Sequence, residues 1–228
     1  MNIDVPGLVL VDNFFNTKEC EELISESLVI QTELSKYENK QLSSTNIPQP
    51  NFVKSENHNL TSKENFIRVT LEQAQNREIN GEFFPRYGEE GHLLAYFRGN
   101  ENLPDFINAV FPRIKQLIED KSLITRELKD SWRLTMNFYK NIEGTVSGFP
   151  FHVDIPANGV ITMIMNIHRE ANFQITNGDD IVDLKLPVGA LVVLSGESRY
   201  KWKHRVLTSQ SNSENLSIDR ISLVLGVK

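Results

Sequence analysis

Trp132-Arg133-Leu134-Thr135-Met136-Asn137-Phe138-Tyr139 alternates apolar and polar residues without a break. Successive side chains of a β-strand point to opposite faces, so the stretch reads as a strand. One face is greasy: Trp132, Leu134, Met136 and Phe138. The other carries Arg133, Thr135, Asn137 and Tyr139. The β character holds from residue 131 onward. Gly159 to Ile167 is a nearly continuous apolar run, as in a strand buried on both faces. Asn177-Gly178 is a two-residue hairpin signal. Ile181 to Leu186 alternates again, Pro187-Val188-Gly189 is a turn, and Ala190 to Leu194 is a second buried strand. Lys203 to Leu207 and Arg220 to Val227 complete the set. Many short strands at regular spacing predict a β-sandwich or jelly roll.

The N-terminal half has a different character. Gly7 to Leu10 is a short strand candidate. Cys20, Leu23, Ile24, Ser27 and Leu28 recur at helical spacing, with Asn16 or Thr17 as N-cap. Residues 35 to 65 are rich in Ser, Asn, Gln, Lys and Pro and read as a long loop. Phe83 to Phe97 is aromatic-rich and extended. Phe106, Val110, Ile114, Leu117 and Ile118 mark a helix over 105 to 119, which Pro112 must kink or restart. Helices gathered before the strands would cover one sheet, an α+β arrangement.

The chain has 228 residues, 39% of them hydrophobic and 24% charged, which suits one ordinary globular domain. No apolar run is long enough to span a bilayer, so no membrane partner is expected. The N-terminus carries no basic and apolar leader pattern. Cys20 is the sole cysteine, which excludes an internal disulfide and fits a reducing, intracellular compartment, cytoplasmic or nuclear. The net charge of −6 argues against a globally basic nucleic-acid binder. Yet Lys54, Lys63, Arg68, Arg77, Arg86 and Arg98 concentrate in one stretch, where a local basic face would coexist with an acidic whole. Scattered solvated charges are the plain alternative.

Between the first strand and the buried run lies Gly148-Phe149-Pro150-Phe151-His152-Val153-Asp154. On a strand, residues i and i+2 share a face, so His152 and Asp154 would sit side by side. An imidazole and a carboxylate make two-thirds of the 2-His-1-carboxylate set that holds non-haem Fe(II). A second histidine must come from later in the chain, and His204, in Trp202-Lys203-His204-Arg205-Val206, is a candidate. Taken alone, His-x-Asp is a common tripeptide, and an imidazole hydrogen-bonded to a carboxylate is the plain reading. His58, His92 and His168 have no partners at ligand spacing. Glu197-Ser198-Arg199 reads as a local ion pair, and Trp202 as core.

In order along the chain, several segments resemble the AlkB family of Fe(II)- and 2-oxoglutarate-dependent dioxygenases. Val5-Pro6-Gly7-Leu8 to Phe14-Phe15 is similar to the family's N-terminal segment. Tyr87-Gly88-Glu89-Glu90-Gly91 and Tyr96-Phe97-Arg98-Gly99 resemble the region that carries substrate contacts in nucleic-acid-acting members. Leu103-Pro104-Asp105-Phe106, Asn137-Phe138-Tyr139, the run from Leu194 to His204, and Arg220-Ile221-Ser222-Leu223 continue the likeness over most of the chain.

The resemblance implies a double-stranded β-helix (jelly-roll) core over 131–228. The N-terminal helices would pack on one sheet and a substrate lid would lie within 1–130. It implies that His152, Asp154 and His204 bind Fe(II), with O2 and 2-oxoglutarate taking the remaining positions. Arg220 is expected to clamp the distal carboxylate of 2-oxoglutarate through its planar fork, a role counted among the catalytic ones with the triad. Asn137 and Tyr139 would bind the same cosubstrate. Arg86, Tyr87 and Tyr96 are the expected substrate contacts, and a monomer is the expected state. The implied reaction oxidises a substrate C–H bond; an N-methyl group so hydroxylated is lost as formaldehyde.

The pattern departs from the family in two places. The family's second arginine would fall at Gly226, which removes one cation from the cosubstrate pocket. Base-repair members often carry an acid just after the iron aspartate, where this chain has Ile155-Pro156. Isoleucine cannot accept a hydrogen bond from an exocyclic amine, which argues against methylated adenine or cytosine. Three functions therefore compete. The first is oxidative dealkylation of a nucleic acid, DNA or RNA. The second is the same chemistry on a protein side chain or small molecule. The third is a catalytically silent binding module.

Overall fold

The computed structural model describes residues 4–35, 92–98, 100, 103–123, 129, 131–154, 156–212 and 218–228, apart from the side chains of 33–35, 92–98 and 157. Strand β1 (Leu8–Val11) leads into helix α1 (Thr17–Ser35). Asn16 caps that helix: its Oδ1 accepts from the Glu19 amide at 2.9 Å, and Glu19 Oε2 accepts from the Asn16 amide at 2.8 Å. The exchange is a capping box, which satisfies two otherwise orphaned donors. The buried stripe of α1 is Cys20, Leu23, Ser27 and Ile30; Leu28, expected on that stripe, is 37% exposed.

Strand β2 (His92–Arg98) is followed by two helices, α2 (Asp105–Asn108) and α3 (Phe111–Asp120). Pro112 restarts the helix, as its missing N–H requires: it stands in the first turn of α3, where no intrahelical donor is needed. Ile107, Val110, Ile114 and Ile118 form the buried face, while Phe106 is only partly buried.

The remaining strands are β3 (Trp132–Ile142), β4 (Thr145–Val146), β5 (Phe149–His152), β6 (Ile161–His168), β7 (Ala171–Thr176), β8 (Ile181–Leu186) and β9 (Ala190–Ser195). A one-turn helix α4 (Gly196–Tyr200) precedes β10 (Lys203–Val206), β11 (Ser209–Gln210) and β12 (Ile218–Val227). The larger sheet runs β1-β9-β6-β12-β3-β4-β11, with β2 also on β3; the smaller runs β5-β10-β7-β8. Two facing antiparallel sheets of this kind make a jelly-roll core, and the helices lie against the larger sheet, as the pattern predicts.

Alternation along β3 divides the two cores. Trp132, Leu134, Met136 and Phe138 face the helices and join Ile107, Ile114 and Ile118. The opposite face of the larger sheet contributes Ile164, Val192 and Leu194 to a second core with Phe173 and Ile175 of the smaller sheet. The site opens between the sheets, on the face that β3 presents through Thr135, Asn137 and Tyr139.

The β7–β8 connection differs from the expected two-residue hairpin. It spans residues 177–180, because Asn177 Oδ1 accepts from the amides of Asp179 (3.0 Å) and Asp180 (2.8 Å). That Asx turn adds two residues, with Gly178 at φ +107°. Among the described residues, no helix is long and apolar enough to cross a membrane.

Candidate metal centre and cosubstrate cleft

β10 lies between β5 and β7, and its register sets His204 directly opposite His152. The two imidazole rings are 4.3 Å apart at their centroids. Asp154 joins them: Oδ1 lies 3.9 Å from His152 Nε2, and Oδ2 lies 3.9 Å from His204 Nε2. The three ligand atoms all fall within 4.8 Å of one another. Distances near 3.9 Å are too long for hydrogen bonds, so the three groups point at a shared space rather than at each other.

The pairing that the alternation suggested for His152 and Asp154 needs one correction. β5 ends at His152, so Asp154 reaches the site from the segment beyond the strand and not as its i+2 neighbour on a ladder. β5 is also bulged. Phe149 to His152 spans three positions against two on β10, from Val206 to His204. A bulge re-aims side chains, and here Phe149 and His152 both line the cleft. Gly148 permits the close approach, since a Cβ there would lie 2.4 Å from the Val206 carbonyl oxygen.

His152 Nδ1 lies 2.8 Å from the Pro150 carbonyl oxygen, to which it donates, so Nε2 is the nitrogen that faces Asp154. This is how a metal-binding imidazole has its tautomer and ring plane set. His204 is 4% exposed. Burial first, and the neighbouring His152 second, push its pKa down to about 3 against the pull of Asp154. It is therefore neutral at physiological pH. Asp154 Oδ2 is buried and meets no hydrogen-bond donor among the described residues. A buried acceptor left bare is costly. Two imidazoles and one carboxylate around a shared space fit a divalent cation, and the donor set suits ferrous iron.

The cleft encloses about 530 Å³ counted out to its open mouth. β3 walls it with Thr135, Asn137 and Tyr139, and β12 with Ser222 and Val224. Asn137 Nδ2 reaches the Ser222 carbonyl at a long 3.4 Å. Behind Tyr139 stands Arg220, only 3% exposed, with its guanidinium carbon 3.5 Å from the ring centroid. Nε and Nη2 of Arg220 are buried without hydrogen-bond partners. Burial lowers its pKa and the Tyr139 hydroxyl opposes that shift; an arginine stays charged regardless. The neighbouring acid, Asp219, is engaged by Arg169 instead. A buried cation with unanswered donors beside a cleft fits a carboxylate ligand.

Gly226 has a definite reason. A Cβ there would sit 2.0 Å from the Asn158 carbonyl oxygen, so no arginine can stand at this position while the Pro156–Asn158 turn packs as it does. Asn158 lines the cleft in that region.

Glu197-Ser198-Arg199 does not make the expected internal ion pair. Glu197 pairs with Lys201 at 2.6 Å, one helical turn away. Arg199 turns inward, 1% exposed, and its Nη1 donates to the Asp154 carbonyl at 2.7 Å. Sequence reasoning missed this contact, because Ser-Arg-Tyr before a histidine carries no signal of burial. Trp202 is core, as expected, at 5% exposure. His168, expected to be structural, is not part of the triad. Arg86, Tyr87 and Ile155 lie outside the described residues. So do His58, the 35–65 loop beyond Ser35 and most of the basic stretch. Tyr96 is opposite Thr135 in the β2–β3 register, and its side chain is outside the described set.

No protein-family model matches the sequence, and no curated protein matches it. Solved structures do. A prolyl-4-hydroxylase from Pseudomonas putida aligns over 97% of this chain and 92% of its own, at 13% identity and a TM-score of 0.51. A prolyl hydroxylase from Trichoplax adhaerens, in complex with a hypoxia-inducible factor peptide fragment, aligns over 97% of this chain and 83% of its own, at 14% identity and a TM-score of 0.48. OsALKBH1 aligns over 100% of both chains at 13% identity and a TM-score of 0.49. What the chain shares with the Pseudomonas enzyme at this identity is the jelly-roll fold.

Proposed function

We propose that this chain is an Fe(II)- and 2-oxoglutarate-dependent dioxygenase of AlkB type that oxidatively dealkylates a nucleic-acid base. The observation that carries the reaction class is the meeting of His152, Asp154 and His204, with all three ligand atoms within 4.8 Å. Bound there, ferrous iron with 2-oxoglutarate and O2 supplies the oxidising power to hydroxylate a substrate C–H bond, with succinate and CO2 as coproducts.

The chain's own residues do the rest. His152 offers Nε2 because Pro150 holds its other proton, and His204 offers a lone pair because burial keeps it neutral. Asp154 supplies the negative charge. Arg220 holds the distal carboxylate of the cosubstrate, aided by Tyr139 and Asn137. Phe149, Phe173, Ile164 and Val206 wall the cleft with apolar surface that excludes water from the reacting carbon.

The nucleic-acid assignment is supported by the AlkB-like segment around Arg86, Tyr87 and Tyr96. A second reading, hydroxylation of a protein side chain or small molecule, is favoured by one feature. Among the described residues the cleft lining holds no lysine or arginine to meet a phosphate, and Arg220, behind Tyr139, is taken by the cosubstrate. A single assay orders these readings. Succinate formation from 2-oxoglutarate, abolished by His152→Ala, is expected; its absence in the iron-loaded protein would leave only the silent binding module. Formaldehyde release and mass change are then measured over methylated DNA, RNA, nucleosides and peptides. Turnover of a methylated oligonucleotide is expected. Turnover of peptides alone moves the function to the second reading.

A further inference from the structure

The β5–β10 ladder fixes His152 and His204 against each other, but Asp154 lies past the end of β5 and outside that ladder. What reaches its main chain is Arg199, whose Nη1 donates to the Asp154 carbonyl at 2.7 Å. Arg199 belongs to α4, the turn that runs from β9 into β10 and so into His204. That turn is itself anchored. The Ser195 amide donates to Ser198 Oγ at 3.1 Å, Ser195 Oγ donates to the Gly7 carbonyl at 2.9 Å, and the Ser198 amide donates to the Pro6 carbonyl at 2.9 Å. At its far end the Lys201 and Trp202 amides return to the Glu197 carbonyl, and Trp202 is buried.

Burying a guanidinium is expensive, and an apolar side chain of similar volume would fill the same space at less cost. Arg199 answers part of that cost by donating to the Asp154 carbonyl.

We infer that Arg199 is a positioning residue for the metal centre: it ties the main chain of Asp154 to the turn that carries His204, and so forms the triad before metal arrives. The inference rests on the metal-binding reading of the triad. Two effects of Arg199 have opposite signs. Its tether places the carboxylate, which raises metal affinity. Its positive charge repels a dication, which lowers it. The geometry points to the tether, because a carboxylate off the end of a strand has more freedom to lose than a charge offset by Asp154 has repulsion to give.

Co2+ titration of the metal-free full-length chain, followed by the visible absorption of the bound ion, decides it. Asp154→Ala serves as the blank. Arg199→Met is expected to bind Co2+ roughly 10–100-fold more weakly, the loss typical of an outer-shell partner. Its spectrum should also shift as the carboxylate leaves. Arg199→Lys, which keeps the charge and a donor, should recover part of the affinity. Should the methionine variant fail to fold by circular dichroism, Arg199→Lys and Arg199→Gln are read in its place, with a smaller loss expected for lysine than for glutamine. Folded variants that bind Co2+ as tightly as the wild type, or more tightly, overturn the inference while leaving the triad standing. A wild-type chain without Asp154-dependent Co2+ binding removes the metal reading and this inference together.

Discussion

Arg220 faces Tyr139 across the β3–β12 ladder, its guanidinium carbon 3.5 Å from the ring centroid. The stack places a cation face-on against an aromatic ring, a contact worth about 2 kcal/mol when desolvated. It leaves Nε and Nη2 buried without partners. Function and stability therefore pull apart at this residue. Arg220→Met should raise the 2-oxoglutarate concentration needed for succinate formation at least about tenfold, since one good charge-assisted pair is worth that much. The same variant should melt in urea within about 2 kcal/mol of the parent, because the lost cation–π contact and the relieved burial of an incompletely answered charge oppose each other. Clear destabilisation with unchanged 2-oxoglutarate dependence would assign Arg220 to structure instead.

His204 should make the metal-free protein sensitive to acid. Its folded pKa is about 3, below the ordinary histidine value of 6.5. Between these two values the unfolded chain binds a proton that the folded chain refuses. Stability is then full above pH 6.5 and falls as the pH drops toward 3, by at most about 1.4 kcal/mol per pH unit. Urea melts in the presence of a chelator, repeated with His204→Gln, measure this slope. The variant should show a shallower one by about that amount.

Metal should stabilise the fold through the triad. A cation that binds only the folded state contributes RT ln(1 + [L]/Kd), about 2.7 kcal/mol at a hundredfold excess over Kd. Mn2+ or Co2+ should raise the melting temperature of the wild type under air, without 2-oxoglutarate. His152→Ala should abolish the rise while keeping a metal-free melting temperature near that of the parent, since His152 is the most exposed of the three ligands at 28%. An equal rise in both proteins would place the binding elsewhere.

Gly226 should tolerate no side chain. Even alanine would put its Cβ 2.0 Å from the Asn158 carbonyl oxygen, which the backbone must move to accommodate. Gly226→Ala is expected to cost about 1–3 kcal/mol in urea melts, the usual penalty for overpacking. Gly226→Arg, which restores the AlkB-like pattern, should lower stability further and weaken 2-oxoglutarate binding rather than strengthen it.

Much of the architecture was legible in the residue pattern because strand and helix periodicities are local. The alternation from Trp132 to Tyr139 separates the helix-facing core from the cleft face with no knowledge of any partner strand. The apolar run over Gly159 to Ile167 matches a strand buried on both faces, with seven of the eight residues of β6 buried. The misses have causes that periodicity does not carry. Asn177-Gly178 looked like a two-residue hairpin, but the asparagine side chain captured two amides and enlarged the turn. Leu28 looked like core, and the apolar face of α1 runs through Ile30 instead. Arg199 looked like one half of a local ion pair with Glu197, and tertiary packing turned it inward onto Asp154.

The sequence by itself determined which side chains could hold a cation, since two imidazoles and a carboxylate are chemistry that composition and order reveal. It also determined that strands would carry them, since alternation is written in neighbouring residues. Only the tertiary structure decided that His204 stands opposite His152, that a bulge in β5 turns Phe149 into the same cleft, and that Asp154 hangs from a buried arginine. Those are matters of register between segments far apart in the chain, and strand pairing energy is nearly the same for many registers until side chains from both sheets pack together.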